Sequence, residues 1–361
     1  MATDQTDPMG QTDTDLFVCG SGEYHTYRIP SLLVTQAGTV LAFCEGRRNG
    51  QGDHGDIDLL VMRSEDNGRS WSGPQVIWDD GPNTCGNPCP VQDRDTGTIW
   101  LPANWNRPGG ISEEYFDAYD TRYVHMISSD DDGRTWSAPR DITVDVKPDN
   151  WGWYATGPGT GIQLRQGPHA GRLLIPCDHT RIDGNTPAPF GDTDYAHMIF
   201  SHAIYSDDHG ATWHAGEPTP AAGVEECQAV EMDDGRVMLN MRYSNFDPPC
   251  RGVTISDDGG QTWGPVQPDA ALIATPCQAS LIRSPAGPLL FSNPASLTER
   301  ECMVVRLSDD EGATWPVARQ LYDGPCAYSC LAVLADGRIA CLYERGETTP
   351  YEKITFAAFE G

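Results

Sequence analysis

The chain has 361 residues, 39% of them hydrophobic, with 38 glycines, 28 prolines and 12 cysteines. Its 24 basic residues face 52 acidic ones, a formal net charge of −28, which argues against nucleic acid or an anionic membrane as the partner. No apolar run approaches the roughly 18 residues that a spanning helix needs, and the cysteines are too dispersed for a disulfide scaffold.

Residues 1–15, MATDQTDPMGQTDTD, are polar and contain no apolar stretch of the kind that drives secretion. They are expected to form a disordered tail, and they leave the localisation open. From residue 16 to 361 the chain reads as one domain of short alternating apolar runs punctuated by glycine and proline, which points to β-structure with frequent turns. The first such pair of runs is LLVTQAGTVLAFCE around Gly38, a strand, a tight turn and a returning strand. The pattern returns around Gly97, Gly171, Gly235, Gly287 and Gly337, at intervals of 59, 74, 64, 52 and 50 residues. That is the pitch of propeller blades, each a small antiparallel sheet.

A second repeat, S-x-D-x-G-x-[ST]-W, falls between the hairpins. It begins at Ser64, Ser129, Ser206, Ser256 and Ser308 and ends at Trp71, Trp136, Trp213, Trp263 and Trp315. Asp and Ser suit local backbone bonding, Gly a positive φ, and Trp an apolar anchor, so the motif is read as a structural turn. Its acidic residues lack the spacing of a calcium loop. Cys85 and Cys89, spaced C-x3-C, have no second Cys/His pair nearby, so no metal site and no cofactor are expected. Each blade is then four antiparallel strands. The sixth unit runs out of chain after its third strand, Lys353 to Phe359, and the missing outer strand is assigned to the N-terminus near Leu16 to Cys19. The expected fold is all-β, a six-bladed β-propeller whose ring is closed by the N-terminal strand.

Up-down connectivity places the start of strand one, the end of strand two and the start of strand three of every blade on one rim. Arg28, Glu226 and Tyr328 precede their turn glycines by 10, 9 and 9 residues, and Arg47, Arg242 and Glu344 follow theirs by 9, 7 and 7. Asp53 and Arg300 precede third strands. All eight fall on that rim, where charged side chains at the ends of apolar strands are costly unless they pair or bind something.

With Tyr27-Arg28-Ile29-Pro30, the five Asp-containing turns, Arg47 six residues before Asp53, Glu226 sixteen before Arg242, Arg300, and Ala327-Tyr328-Ser329 with Glu344, the chain resembles the exo-α-sialidases (neuraminidases) of the bacterial and animal type. The likeness runs from about residue 24 to the end, and it implies roles. Arg28, Arg242 and Arg300 match the arginines that grip the carboxylate of sialic acid, and Glu344 the acid that orients the first of them. Tyr328 matches the nucleophile, Glu226 its base and Asp53 the general acid/base, with Arg47 a further pocket arginine. A phenol suits this chemistry because the reacting carbon carries a carboxylate. An anionic nucleophile about 4 Å away would meet a repulsion on the order of 4 kcal/mol at an effective dielectric near 20.

Arg47 is favoured over Arg48 by its interval to Asp53, Glu226 over Glu225 by its interval to Arg242, and Arg300 over Arg306 because the latter points toward the opposite rim. The connections Trp105 to Asp120 and Asp178 to Tyr195, carrying Glu113, Glu114, Tyr115 and Asp192, are expected to hang over the active rim. The resemblance implies a retaining exo-α-sialidase acting on sialylated glycans through a glycosyl-tyrosine intermediate. Two alternatives stand beside it. One is a sialic-acid lectin that no longer turns over; the other is an enzyme that prefers the deaminated sugar KDN or performs intramolecular trans-glycosylation.

Overall fold

The computed structural model describes residues 5–6, 10–108, 122–182, 199–243 and 246–361. Strands dominate it, because the sequence is a succession of alternating runs too short for helices and broken every few residues by turn formers. In the first unit Thr26–Val34, Val40–Arg47, Ile57–Ser64 and Gln75–Trp78 pair antiparallel in that order. Val224–Glu231, Val237–Tyr243, Cys250–Ser256 and Gln267–Ile273 repeat the pattern in the fourth. The second unit pairs Val91–Gln92, Ile99–Asn106, Tyr123–Ser129 and Arg140–Asp141. In the third, Trp151–Thr156 and Ile162–Gln163 share the first position beside Leu173–Arg181, which is followed by Ile199–Ser206 and His214–Ala215. All six turn glycines, Gly38, Gly97, Gly171, Gly235, Gly287 and Gly337, have positive φ.

The fifth and sixth units share one strand, Val317–Val333, whose first half pairs with Glu301–Ser308 and whose second half pairs with Ile339–Arg345. Lys353–Phe359 follows, and its free edge is taken by Thr12–Val18. The N-terminal strand thus starts at Thr12 and not near Leu16, so the expected tail of residues 1–15 is too long. Asp13 pairs with Arg345 at 3.0 Å and Asp15 with Lys353 at 2.9 Å, so acidic residues that look solvated in isolation find cations on the adjoining strands.

Six apolar clusters among the described residues each join two units. One holds Leu41, Phe43, Leu59, Ile99 and Leu101. Another brings Phe17, Leu32 and Val40 against Cys330, Leu342 and Phe356, from the two ends of the chain. The Trp turns feed these clusters: Trp71 stacks edge-on to Phe356 at 5.1 Å, Trp136 to Phe43 at 5.7 Å and Trp213 to Trp100 at 6.4 Å, each on a neighbouring unit. Gly210 has φ +87, and a Cβ there would lie 2.1 Å from the Trp100 ring, so the turn needs glycine for both conformation and close approach.

Candidate active site

At the rim opposite the Trp turns several strands lose their regularity. Register shifts fall between Arg28 and Ser31, between Glu225 and Cys227 and between Cys326 and Ser329, the first strands of the first, fourth and sixth units. Each bulge inserts an extra residue that re-aims its neighbours. Ile29 (φ 60) and Glu226 (φ 35) sit in left-handed backbone, a conformation that costs a non-glycine residue about 1–3 kcal/mol and persists where the surroundings hold it.

Those bulges turn three side chains toward one another. The Tyr328 hydroxyl donates to Glu226 Oε1, and Arg242 Nη1 donates to Glu226 Oε2 at 2.8 Å. Arg242 Nε also pairs with Glu225 Oε1 at 3.2 Å, so one guanidinium spans two carboxylates. The Arg28 guanidinium carbon lies 5.1 Å from the centre of the Tyr328 ring and that of Arg300 lies 5.6 Å away. Arg28 is fixed from behind: its Nε donates to Glu344 Oε1 at 2.6 Å, and the same carboxylate accepts the Ile29 and Tyr328 N–H groups at 2.9 and 3.2 Å. Glu344 is wholly buried, so its charge is carried by Arg28 and two backbone donors. Arg300 has no such acid; Tyr351 Oη and the Pro276 carbonyl accept from it at 2.8 and 2.9 Å.

Asp53 enters from the loop before the third strand of the first unit, with its side chain 59% exposed and Oδ1 2.7 Å from Arg47 Nη1. Arg47 is buried and also donates to Glu45 Oε2 at 2.7 and 3.0 Å. Arg48 faces away, toward Glu23, Asp56 and Asp58, and Arg306 donates to the Trp315 carbonyl near the other rim. A cavity of about 210 Å³ brings together Tyr328, Glu226 and Arg242 with Asp53, Arg47 and Glu45 in its lining. Trp153, Ala155 and Ile199 supply an apolar wall.

Burial pushes the Tyr328 hydroxyl well above the ordinary phenol value and Glu226 pushes it further, while Arg242, Arg300 and Arg28 oppose both. The phenol is therefore neutral at rest and needs a base in contact to ionise. Burial also raises the Asp53 carboxyl, but Arg47, Arg28 and Arg122 outweigh it and hold the group below the usual carboxylate range.

All eight residues singled out in the sequence are thus brought to one rim. Four others were missed. Glu45 and Asp178 line the cavity, and each follows its turn glycine by seven residues, the interval that separates Arg242 from Gly235 and Glu344 from Gly337. Arg122 stands one residue before the third strand of its unit, as Arg300 does, and Tyr351 holds both Arg300 and the face of Arg28. Trp105, expected over the rim, donates to Asp80 at 2.6 Å. Glu113, Glu114, Tyr115 and Asp192 lie outside the described residues.

Residues 38–341 match the BNR repeat-like domain family. A sialidase of Micromonospora viridifaciens is 39% identical over 97% of this chain, which spans 54% of that protein's length. An exo-alpha-sialidase of Aspergillus fumigatus is 33% identical over 89% of this chain and 79% of its own length. Among solved structures, the Hadza microbial sialidase Hz136 superposes with a TM-score of 0.82 at 30% identity, covering 96% of this chain and 68% of that one. An intramolecular trans-sialidase from Ruminococcus gnavus, solved with oseltamivir carboxylate, shares the fold with a TM-score of 0.79 at 20% identity, over 96% of this chain and 97% of its own.

Proposed function

Because the chain belongs to the sialidase family, a family of glycoside hydrolases with BNR repeats, we propose that it is a retaining exo-α-sialidase that removes terminal sialic acid from glycans. The observation that carries this reading is the Tyr328 hydroxyl donating to Glu226 beneath two arginines, with an acid, Asp53, lining the same cavity. A buried phenol needs some hydrogen-bond acceptor to be stable, but neither a carboxylate in that place nor cations at its ring; an anionic sugar reacting at that oxygen needs both.

In this reading Arg28, Arg242 and Arg300 take the substrate carboxylate through charge-assisted hydrogen bonds worth roughly 1.5–3 kcal/mol each. Tyr328 Oη attacks the anomeric carbon as Glu226 accepts its proton, and Asp53 delivers a proton to the departing glycosidic oxygen. Water, deprotonated by Asp53, then attacks the same carbon, and Tyr328 leaves as Glu226 returns the proton. The two displacements restore the starting configuration and regenerate every group. The reaction as written uses side chains and water alone. The scaffold of the proposal is a single six-bladed ring, supported by the six clusters joining consecutive units, the last of which links residues 17–62 to 330–358.

The test is hydrolysis of a fluorogenic sialoside at mildly acidic pH, with Tyr328→Phe and Asp53→Ala beside the wild type. The wild type is expected to turn over far faster than Tyr328→Phe, with Asp53→Ala slowed least on this good leaving group, and proton NMR should show the α-anomer of sialic acid first. An initial β-anomer removes the retaining step, and a folded wild type that binds without turnover makes the protein a lectin. A 2,7-anhydro product identifies intramolecular transfer, and comparing N-acetyl with KDN glycosides settles the sugar.

A further inference from the structure

Asp178 lines the cavity but takes no part in the steps above. It lies within the second strand of the third unit, Leu173–Arg181, is 2% exposed, and through Oδ2 accepts the Glu226 N–H at 3.2 Å. Glu226 is the extra residue of a bulge and sits at φ 35. Its peptide is gripped at both ends: Asp178 takes the N–H, and the buried Arg251 approaches the carbonyl at 3.4 Å while anchored to Asn240 and the Cys277 carbonyl. Left-handed backbone at a glutamate relaxes unless such contacts hold it.

We infer that Asp178 is a positioning residue, clamping the bulged peptide so that the Glu226 carboxylate stays on the Tyr328 hydroxyl. The inference rests on the reading of Glu226 as the base for Tyr328. Burial, then Glu225 and Glu226, push the Asp178 carboxyl well above the usual carboxylate range, against the Glu226 N–H and Arg122. Accepting the N–H needs only a carbonyl-type oxygen, whatever the charge on the group. Asparagine offers the same oxygen in the same volume, and alanine offers none.

The experiment compares Asp178→Ala and Asp178→Asn with the wild type in steady-state kinetics and in hydrogen exchange of the Glu226 amide. A misplaced base costs on the order of 100-fold in kcat, with KM little changed. Asp178→Ala is expected to show that loss and faster Glu226 exchange; Asp178→Asn is expected to recover about ten-fold of the loss and keep the amide protected. A kcat for Asp178→Ala close to that of the wild type, a loss confined to KM, or an asparagine variant as impaired as the alanine one overturns the inference. If the alanine variant does not fold, the asparagine variant decides alone: a fall as deep as that of Tyr328→Phe, or an unprotected Glu226 amide, refutes it. Exchange needs no turnover. A wild type that hydrolyses no sialoside yet shows this exchange pattern sinks the functional reading only, whereas an active wild type indifferent to Asp178→Ala sinks this inference only.

Discussion

The two ends of the strands are built on opposite plans. At one end five turns make the same four hydrogen bonds: serine to aspartate, glycine N–H to serine, and the Ser/Thr N–H and hydroxyl both to aspartate, the last at 2.6 Å in every copy. At the other end the position seven residues after the turn glycine holds Glu45, Asn104, Asp178, Arg242, Pro294 and Glu344 in the six units. The backbone repeat is shared, and the side chains at one register have diverged. Repetition keeps the sheets packed, whereas the changes from unit to unit gather acids, amides and guanidinium groups that no single strand could assemble.

The sharpest way to break that contrast lies within the divergent end itself, between Arg28 and Arg300. Arg28 is the partner of a wholly buried carboxylate, Glu344, and Arg300 is held by a phenol and a carbonyl. Arg28→Ala strands the Glu344 charge, so it should lower stability by about 3–5 kcal/mol as well as cut kcat/KM by roughly 10³-fold or more. Arg300→Ala removes a guanidinium that pairs with no carboxylate directly and reaches the buried Glu225 only at a distance, so its roughly 10²-fold loss in kcat/KM should come with a much smaller change in melting temperature. Thermal melts run beside the kinetics separate the two. Equal destabilisation by both would mean that the surroundings of the two arginines are energetically alike.

Much of this end was legible. Intervals counted from the turn glycines put Arg28, Arg47, Glu226, Arg242, Tyr328 and Glu344 on one rim, because antiparallel pairing converts sequence distance from a turn directly into height along the blade. The same count reaches Glu45 and Asp178, but an acid at a strand end carries no sign in the sequence of whether it faces a site or a neighbouring strand. The bulges were not legible, since a register shift depends on what the neighbouring strands and side chains can hold. Nor was the start of the N-terminal strand: Asp13 finds Arg345 332 positions away, beyond any local pattern. Tyr351 was hidden for a similar reason, as a loop tyrosine acquires meaning only from the two arginines that fold onto it.

A finer contrast separates two titratable groups of the cavity. Tyr328 is raised by burial and by Glu226, whereas Asp53, also raised by burial, is brought down by Arg47, Arg28 and Arg122. A general acid must be protonated, so kcat/KM for a sialoside with a poor leaving group should fall as pH rises through the Asp53 pKa of the free enzyme. In the complex the substrate carboxylate offsets Arg28, one of the charges holding Asp53 down, so the matching limb of kcat should lie at higher pH. Arg47→Gln removes the first of those charges and should move the limb of kcat/KM upward as well. Profiles on a lactose-based sialoside are the measurement, because a good leaving group needs little protonation and hides the limb. A limb that stays in place in Arg47→Gln would mean that Asp53 is not the acid.

The smallest effect is expected at the repeated end, where replacing one copy should change stability and leave chemistry alone. Asp131 accepts from the Ser129 and Thr135 hydroxyls and from the Arg134 and Thr135 N–H groups. The Thr135 hydroxyl, then its N–H, hold the Asp131 carboxyl at about 2, against an ordinary value of 3.8. The site is near the surface and screened, so Asp131→Ala should cost only about 1 kcal/mol, a melting temperature lower by a few degrees, with kcat/KM per folded molecule unchanged. The pH dependence follows from the sign of the shift. A carboxyl depressed in the folded state stabilises above its unfolded value, and that contribution is lost as pH falls from 3.8 toward 2. The gap in melting temperature between wild type and variant should therefore narrow across that range. A gap that persists undiminished below it would show that Asp131 acts through the hydrogen bonds of its neutral form, with its charge contributing nothing.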